Sequence, residues 1–315
     1  MLRPGLTYAV RLPRCKKKPS VDRHYLTPLF DPKSIVVFAG DPAAEPPCRE
    51  AAILRKAMAE GSYKGTVTWL DITMTGTLAE LAHSRADLAL IALPHDQTLA
   101  ALEIVGRVRC RAALIMSTGM APAQCTELHQ TARRYGVNLL GPNTMGLQRP
   151  AQGLNAGSLG PLAAAGPLAL VSQSGALTSA MLDWAERQGV GFSTVISLGP
   201  NTAVELPQVL DFLANDGSTQ SILVYMEGIR HARRFMSALR AAAYAKPVVV
   251  LKAGRKASGS RVALTHSASI VGSDDVFDAA LRRAGVVRVR QFTQLISAAR
   301  CLASRFRPVG RHLAI

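Results

Sequence analysis

The stretch Ala263-Leu-Thr-His266-Ser-Ala-Ser-Ile-Val-Gly272-Ser-Asp-Asp275 sets one imidazole among small side chains, just ahead of an apolar helical pattern (Val276, Phe277, Ala280, Leu281). Small neighbours let a bulky anion such as phosphate reach the ring, and a neutral imidazole nitrogen is a nucleophile near pH 7. On its own His266 is more often an ordinary loop or packed histidine. Two further stretches change that reading. Val171-Ser172-Gln173-Ser174-Gly175-Ala-Leu-Thr reads as strand end, polar turn and helix start. Its hydroxyls and first-turn amides suit an anion at the positive end of a helix, although a plain helix cap fits it equally well. Tyr225-Met226-Glu227-Gly228 ends another apolar run with a carboxylate. Beside an imidazole, Glu227 would accept a proton from one ring nitrogen and leave the other free to attack phosphorus; alone it reads as a surface acid. Taken together, the three stretches describe a phosphohistidine site at the carboxyl ends of strands in one sheet.

The elements that would position them follow from the hydrophobic pattern. Strands are expected at Ser34–Ala39, Thr66–Leu70, Asp87–Leu93, Ala112–Met116 and Val137–Leu140, mostly separated by helical segments of about 10–15 residues. They end in Gly40-Asp41-Pro42, Pro94-His95, Ser117-Thr118-Gly119 and Gly141-Pro142-Asn143, the turns that would face a ligand. A Gly- and Pro-rich linker is expected from Gln148 to Pro167. The alternation then restarts with strands at 168–171, 192–198, 221–226 and 247–252, and helices at 175–188, 204–215, 230–245 and 275–284. This pattern predicts an α/β chain of two successive doubly wound parallel-sheet domains, 25–147 and 148–305. A basic tail over 1–24 precedes them. Residues 306–315 read as a linker and the opening of a further strand, which suggests a fragment of a longer chain, an edge strand being the alternative.

Composition narrows the classes. The chain has 315 residues, is 48% hydrophobic and 18% charged, and carries a net charge of +16. That charge suits any polyanion, but aromatics are only 5% and no helix-turn-helix, zinc-finger or aromatic-basic signature is present, which argues against nucleic acid. No apolar run approaches the roughly 20 residues of a membrane span. The cysteines Cys15, Cys48, Cys110, Cys125 and Cys301 are scattered without a CxxC pair, so neither a metal site nor a disulfide framework is expected, and a reducing cytoplasm is the simpler setting. The Arg-rich tail lacks the apolar core of a secretory signal, and it is too poor in serine and too weakly amphipathic for a good mitochondrial presequence.

Five motifs then fall in a recognisable order: Leu140-Gly-Pro-Asn143-Thr-Met-Gly-Leu, Val171-Ser-Gln-Ser-Gly-Ala-Leu, Leu223-Val-Tyr-Met-Glu227-Gly-Ile, Lys246-Pro-Val-Val-Val-Leu-Lys-Ala-Gly-Arg255 and Thr265-His266-Ser-Ala. From about Tyr25 onward the chain resembles the NDP-forming acyl-CoA synthetases, relatives of the succinyl-CoA synthetase α subunit. The resemblance implies a Rossmann-like CoA-binding domain followed by a flavodoxin-like ligase domain. It implies His266 as the phosphorylated histidine, Glu227 as its orienting carboxylate and Ser172, Gln173, Ser174 and Gly175 as the phosphate-holding helix start. Gly40, Asp41, Pro94, Ser117 and Asn143 fall on the CoA side. The ligands implied are coenzyme A or an acyl-CoA thioester, with ADP or ATP and magnesium met only through a separate ATP-grasp subunit or domain. The reaction implied is acyl-CoA plus ADP and phosphate giving acid, CoA and ATP, or the reverse.

Gln152-Gly-Leu-Asn-Ala156 and Ala232-Arg-Arg-Phe-Met-Ser-Ala are similar to the Pat-type lysine acetyltransferases, in which such a module is fused to a GNAT domain. The alternative reading is therefore a non-catalytic acyl-CoA-sensing module with a GNAT partner. Ser267-Ala268-Ser269 stands where the family usually has Thr-Gly-Ala, and Asp41-Pro42 where it has Ala-Ser, which favours the sensor somewhat. Neither an ATP-grasp nor an acetyltransferase module is present, so the chain is expected to be inactive alone. Homo-oligomerisation is left open.

Overall fold

The computed structural model describes residues 23–40, 48–70, 86–200, 202–254 and 274–304. The first unit opens with a single helical turn, α1 (Thr27–Phe30), and continues through β1 (Ser34–Phe38), α2 (Arg49–Glu60), β2 (Thr66–Leu70), β3 (Leu88–Ile91), α3 (Thr98–Arg107), β4 (Ala112–Ile115), α4 (Pro122–Tyr135) and β5 (Asn138–Leu140). Its strands run parallel in the order β2-β1-β3-β4-β5. β3 and β4 are buried at every position, as strands covered on both faces must be.

The second unit comprises β6 (Gly146–Arg149), β7 (Leu154–Gly157), β8 (Ala165–Ser172), α5 (Gly175–Gln188), β9 (Phe192–Ser197), α6 (Leu206–Asn215), β10 (Ser221–Met226), α7 (Ala232–Ala245), β11 (Val248–Lys252), α8 (Asp274–Arg283), β12 (Val287–Val289) and α9 (Phe292–Ala303). Its sheet runs β12-β11-β10-β8-β9-β6-β7. Taken from β8 onward in chain order, its parallel strands follow the same 2-1-3-4-5 order as the described strands of the first sheet, the flavodoxin-like arrangement. In both sheets the order reverses between the first and third strands, the point at whose carboxyl edge ligands bind in open sheets of this kind.

The expected linker from Gln148 to Pro167 is corrected. Much of it is an antiparallel hairpin, β6–β7, added to the edge of β9, so the second sheet is mixed rather than wholly parallel. Its glycines are there for close approach: a Cβ on Gly146 would stand 2.0 Å from the Ala156 carbonyl oxygen, and one on Gly157 2.1 Å from that of Met145. The amides of Gln148 and Asn155 are fully buried and satisfied, Gln148 Nε2 donating to Asn155 Oδ1 at 3.1 Å and to the Pro161 carbonyl at 2.9 Å. Polar, Gly-rich composition here serves a buried hairpin.

One apolar cluster spans the two units. Leu26, Leu29 and Phe30 pack in a single apolar cluster with Leu206, Val209 and Phe212, and the rings of Phe30 and Phe212 stack at 4.3 Å. His24 Nδ1 accepts the Leu26 amide at 3.1 Å, which leaves Nε2 to donate to Asp211 at 3.1 Å. Gln152 Nε2 donates to Asp31 at 3.0 Å. Beside that stack, with its guanidinium 5.9 Å from the Phe212 ring centre, Arg149 of β6 is buried against Asp216 at 2.8 Å, and Thr194 accepts from the same guanidinium nitrogen.

Burial pushes the Asp216 carboxyl up, but the hydrogen bond and charge of Arg149, with the Thr219 and Ser218 hydroxyls, outweigh it and hold the group at about 2, below its ordinary 3.8. A depressed carboxyl stabilises the fold above its unfolded pKa and loses that contribution as pH falls from about 4 toward 2. Urea unfolding should therefore show Arg149→Leu destabilised by about 3–5 kcal/mol at pH 7, because a buried carboxylate is left unpaired. Asp216→Asn should flatten the acid dependence in that window; an unchanged acid limb would mean that the pair does not set it.

Candidate active site at two carboxyl edges

The CoA-side positions expected from the sequence lie at the carboxyl edge of the first sheet. Gly40 follows β1 in a left-handed conformation, φ 66°, and a Cβ added there would rest 3.6 Å from Leu93, an ordinary contact. Pro94 follows β3 and is exposed. Ser117 follows β4, is buried, and donates its hydroxyl to the Leu93 carbonyl at 2.6 Å, so it ties β4 to β3 and is not presented to solvent. Asn143 follows β5, is exposed at φ 58°, and donates its amide to the Ser117 carbonyl at 3.1 Å. Asp41 lies outside the described residues. The other four thus form one contiguous rim around Leu93 and Pro94.

The phosphate-side positions lie at the carboxyl edge of the second sheet, where β8 hands over to α5. Four apolar or small positions, Thr178, Met181, Leu182 and Ala185, bury one face of that helix at helical spacing. Ser174 is the N-cap, its hydroxyl accepting from the Leu177 amide at 3.4 Å. The amides of Gly175 and Ala176 have no partner among the described residues, and the helix start points them outward from the sheet edge.

Ser172 and Gln173 do different work from that expected. The Ser172 hydroxyl is buried and closes its own turn, accepting from the Ser174 amide at 3.1 Å and donating to the Ser174 carbonyl at 2.8 Å. Gln173 reaches across to the end of β10. Its Oε1 accepts the amides of Glu227 at 2.7 Å and Gly228 at 3.1 Å, and its Nε2 donates to the Gly228 carbonyl at 3.1 Å. The carboxamide therefore acts as one more rung between two strand ends, fixing the backbone that carries Glu227. Glu227 itself is half-buried, and burial together with its charge raises the Tyr225 phenol above its ordinary value.

A single loop, Gly141 to Gly146, joins the two edges. Gly141 donates its amide to Thr202 Oγ1 at 3.1 Å, and Val204 donates to the Leu139 carbonyl at 2.9 Å. Thr144 bonds the Ser197 carbonyl at the end of β9. A Cβ on Gly199 would meet the Asn143 carbonyl oxygen at 1.9 Å, and one on Gly175 would meet Met145 Sδ at 2.2 Å. Arg230, just beyond Glu227, donates to the Pro200 carbonyl at 2.6 Å and stands 3.7 Å from Glu205, which closes the rim on the far side.

His266 lies outside the described residues. On either side of that segment, β11 ends in Lys252 and α8 begins at Asp274. Lys252 is buried, with Nζ 5.4 Å from the Phe277 ring centre. Its pKa is lowered, first by burial and then by the Arg288 charge, with Asp274 partly offsetting both. Arg288 of β12 binds the Asp274 carboxylate and Asp278, the latter at 3.2 Å, and so pins the start of α8 to the sheet.

Residues 165–302, which include this helix start and Glu227, match the family model of the succinyl-CoA ligase like flavodoxin domain. Over 308 residues the chain is 32% identical to the acetate–CoA ligase [ADP-forming] I subunit alpha of Pyrococcus furiosus, covering 92% of this chain and 66% of that protein. The chain belongs to the NDP-forming acyl-CoA synthetases. It is 39% identical over 235 residues to the acetate–CoA ligase [ADP-forming] I of Archaeoglobus fulgidus, covering 73% of this chain and 34% of that one. The solved dinucleotide forming acetyl-coenzyme A synthetase 1 of Ca. Korarchaeum cryptofilum, in complex with phosphate and ADP, superposes with a TM-score of 0.81 at 27% identity, over 90% of this chain and 64% of that one. The chain thus spans between about a third and two thirds of the length of these relatives. The comparisons give no support to the reading as a regulatory module of a Pat-type acetyltransferase.

Sequence reasoning missed the roles of Met145, Gly199, Thr202 and Arg230. Met145 lies inside the Leu140–Leu147 motif and Gly199 inside Ser197-Leu-Gly-Pro200, but nothing local shows which atoms either must meet. Gly199→Ala should therefore lower stability by about 1–3 kcal/mol through overpacking against backbone, read as a fall in Tm. Gln173→Ala should speed amide hydrogen exchange at Glu227 and Gly228; unchanged protection there would remove the staple role.

Proposed function

We propose that this chain is the CoA-binding and phosphohistidine-bearing portion of an NDP-forming acyl-CoA synthetase. The observation that carries this reading is the line from Gly40 beside Leu93, through Ser117 bonded to Leu93 and Asn143 bonded to Ser117, along the loop to Met145 against Gly175 and, across Gln173, to Glu227. A ligand on the first edge and a phosphate at the second would be neighbours there. The first edge suits an extended thioester: Pro94 and Asn143 are exposed, and Gly40 leaves room beside Leu93.

Orthophosphate attacking the thioester carbonyl would release the CoA thiol and leave an acyl phosphate. His266 would then attack phosphorus, forming an N–P bond as the P–O bond to the carboxylate breaks, and the free acid would depart. Attack by the terminal phosphate oxygen of ADP would break the N–P bond and yield ATP. Glu227 would hold the ring tautomer and balance the imidazolium. The first-turn amides of α5 would hold the phosphate oxygens. Ser174, as the N-cap, would position that turn. Nucleotide and magnesium belong to a separate ATP-grasp subunit or module, so this chain alone would not turn over. The name of the Pyrococcus furiosus relative, "subunit alpha", favours such a division of labour. A cytoplasmic setting accords with the four described cysteines, Cys48, Cys110, Cys125 and Cys301, all being free thiols.

Two measurements test the reading. Calorimetric titration with CoA and acetyl-CoA at two salt concentrations should give saturable binding that survives the higher salt; binding that vanishes with salt, or none, would remove the CoA function. With an ATP-grasp partner and labelled ATP, the wild-type chain should acquire acid-labile phosphate and His266→Asn none. Equal labelling of the variant would transfer the role elsewhere.

A further inference from the structure

At the opposite, amino edge of the first sheet lies a cavity of about 710 Å³, away from the turns described above. Lys33, Asp87, Arg111 and Asn138, at the starts of β1, β3, β4 and β5, contribute to its walls, and Arg23, His24 and Tyr25, just before α1, complete them. That volume falls within the range of small-molecule sites, about 300–1,000 Å³.

Its charges are unevenly satisfied. Both acids are engaged by one residue: Asp31 accepts from Lys33 Nζ at 2.9 Å, and Asp87 from the Lys33 amide at 2.7 Å. The guanidinium groups of Arg23, Arg109 and Arg111 have no ion pair or hydrogen bond among the described residues. Arg109 and Arg111, on either side of buried Cys110, are both exposed and both line the cavity. Arg109 is the more telling. It occupies the left-handed position just past α3, φ 57°, with its amide bonded to the Gly106 carbonyl and that of Cys110 to Val105. Glycine is the ordinary choice there, and a long side chain strains the backbone. The C-termini of α3 and α4 also face this edge, and their partial negative charge explains basic residues such as Arg107 and Arg133 without any ligand. It does not explain a strained cation with two more beside it. The remaining wall is aromatic: Tyr25, 49% exposed, stacks on His24 at 4.4 Å, and Tyr135 lines the same space.

We infer that this cavity is a second ligand site, for a small phosphate ester carrying a flat ring. The ring would lie against the Tyr25–His24 stack and the phosphates on Arg109, Arg111 and Arg23. The site is independent of the CoA and histidine chemistry proposed above.

ADP, with pyrophosphate and adenosine as its separate halves, provides the probes for calorimetry on the full chain. ADP should bind one per chain, more tightly than either half, and saturating CoA should leave that affinity unchanged. Arg109→Gly should weaken ADP about tenfold or more, as loss of a charge-assisted contact does, while relief of backbone strain should raise Tm by about 1–3 °C. Tyr25→Ser should weaken ADP and spare pyrophosphate. Absence of saturable ADP binding, displacement of ADP by CoA, or an Arg109→Gly affinity equal to wild type would each overturn the inference.

Discussion

The close crossing of the Gly141–Gly146 loop over the second sheet is the constraint on which the rest depends. Carbonyl oxygens and a thioether sit where Cβ atoms would otherwise stand, at Gly199, Gly157 and Gly175. Backbone packed against backbone at this distance fixes position far more tightly than side chains can, because carbonyls have no rotamers through which to yield. The carboxyl edges of the two sheets are thereby held side by side, with Thr202 and Thr144 taking up the Gly141 and Gly146 amides that burial would otherwise leave unpaired.

Around that crossing the polar groups divide into those that build and those that are presented. Ser117, Ser172 and Gln173 spend their hydrogen bonds on neighbouring backbone, and so align strand ends and the carbonyls and amides between them. The first-turn amides of α5 and the exposed Asn143 are what face outward. Buried ion pairs secure the periphery: Arg149–Asp216 anchors the hairpin, and Arg288 with Asp274 and Asp278 anchors the helix that follows the histidine segment. Such pairs add little net stability over apolar packing, but removing one partner is costly, so they resist rearrangement.

The alternation of strand and helix was legible because the parallel strands are buried on both faces and read as unbroken apolar runs. The helix 175–188 was readable to the residue, since Ser174 caps its start and Gly189, φ 65°, its end. The hairpin was hidden: Gly146, Gly153 and Gly157 look like loop composition, and the satisfaction of Gln148 by Asn155 and Pro161 exists only in three dimensions. β12 and α9 were overlooked for a similar reason, since Val287–Val289 is too short to stand out and Leu295 and Ala299 give α9 only a thin apolar stripe.

By itself the sequence determined the layered α/β class, the two successive sheets and the turns at the carboxyl ends of their strands, because apolar periodicity and capping residues act over a few neighbouring positions. It also identified the family, through motifs whose order survives at about 30% identity. Only the tertiary structure decided which polar side chains are presented and which are consumed. Ser172 and Gln173 look alike as anion ligands in one dimension, yet the second spans to Glu227 and Gly228, 54 and 55 residues away. Hydrogen-bond partners so distant in the chain are chosen by the packing of whole sheets, and no local pattern encodes that choice.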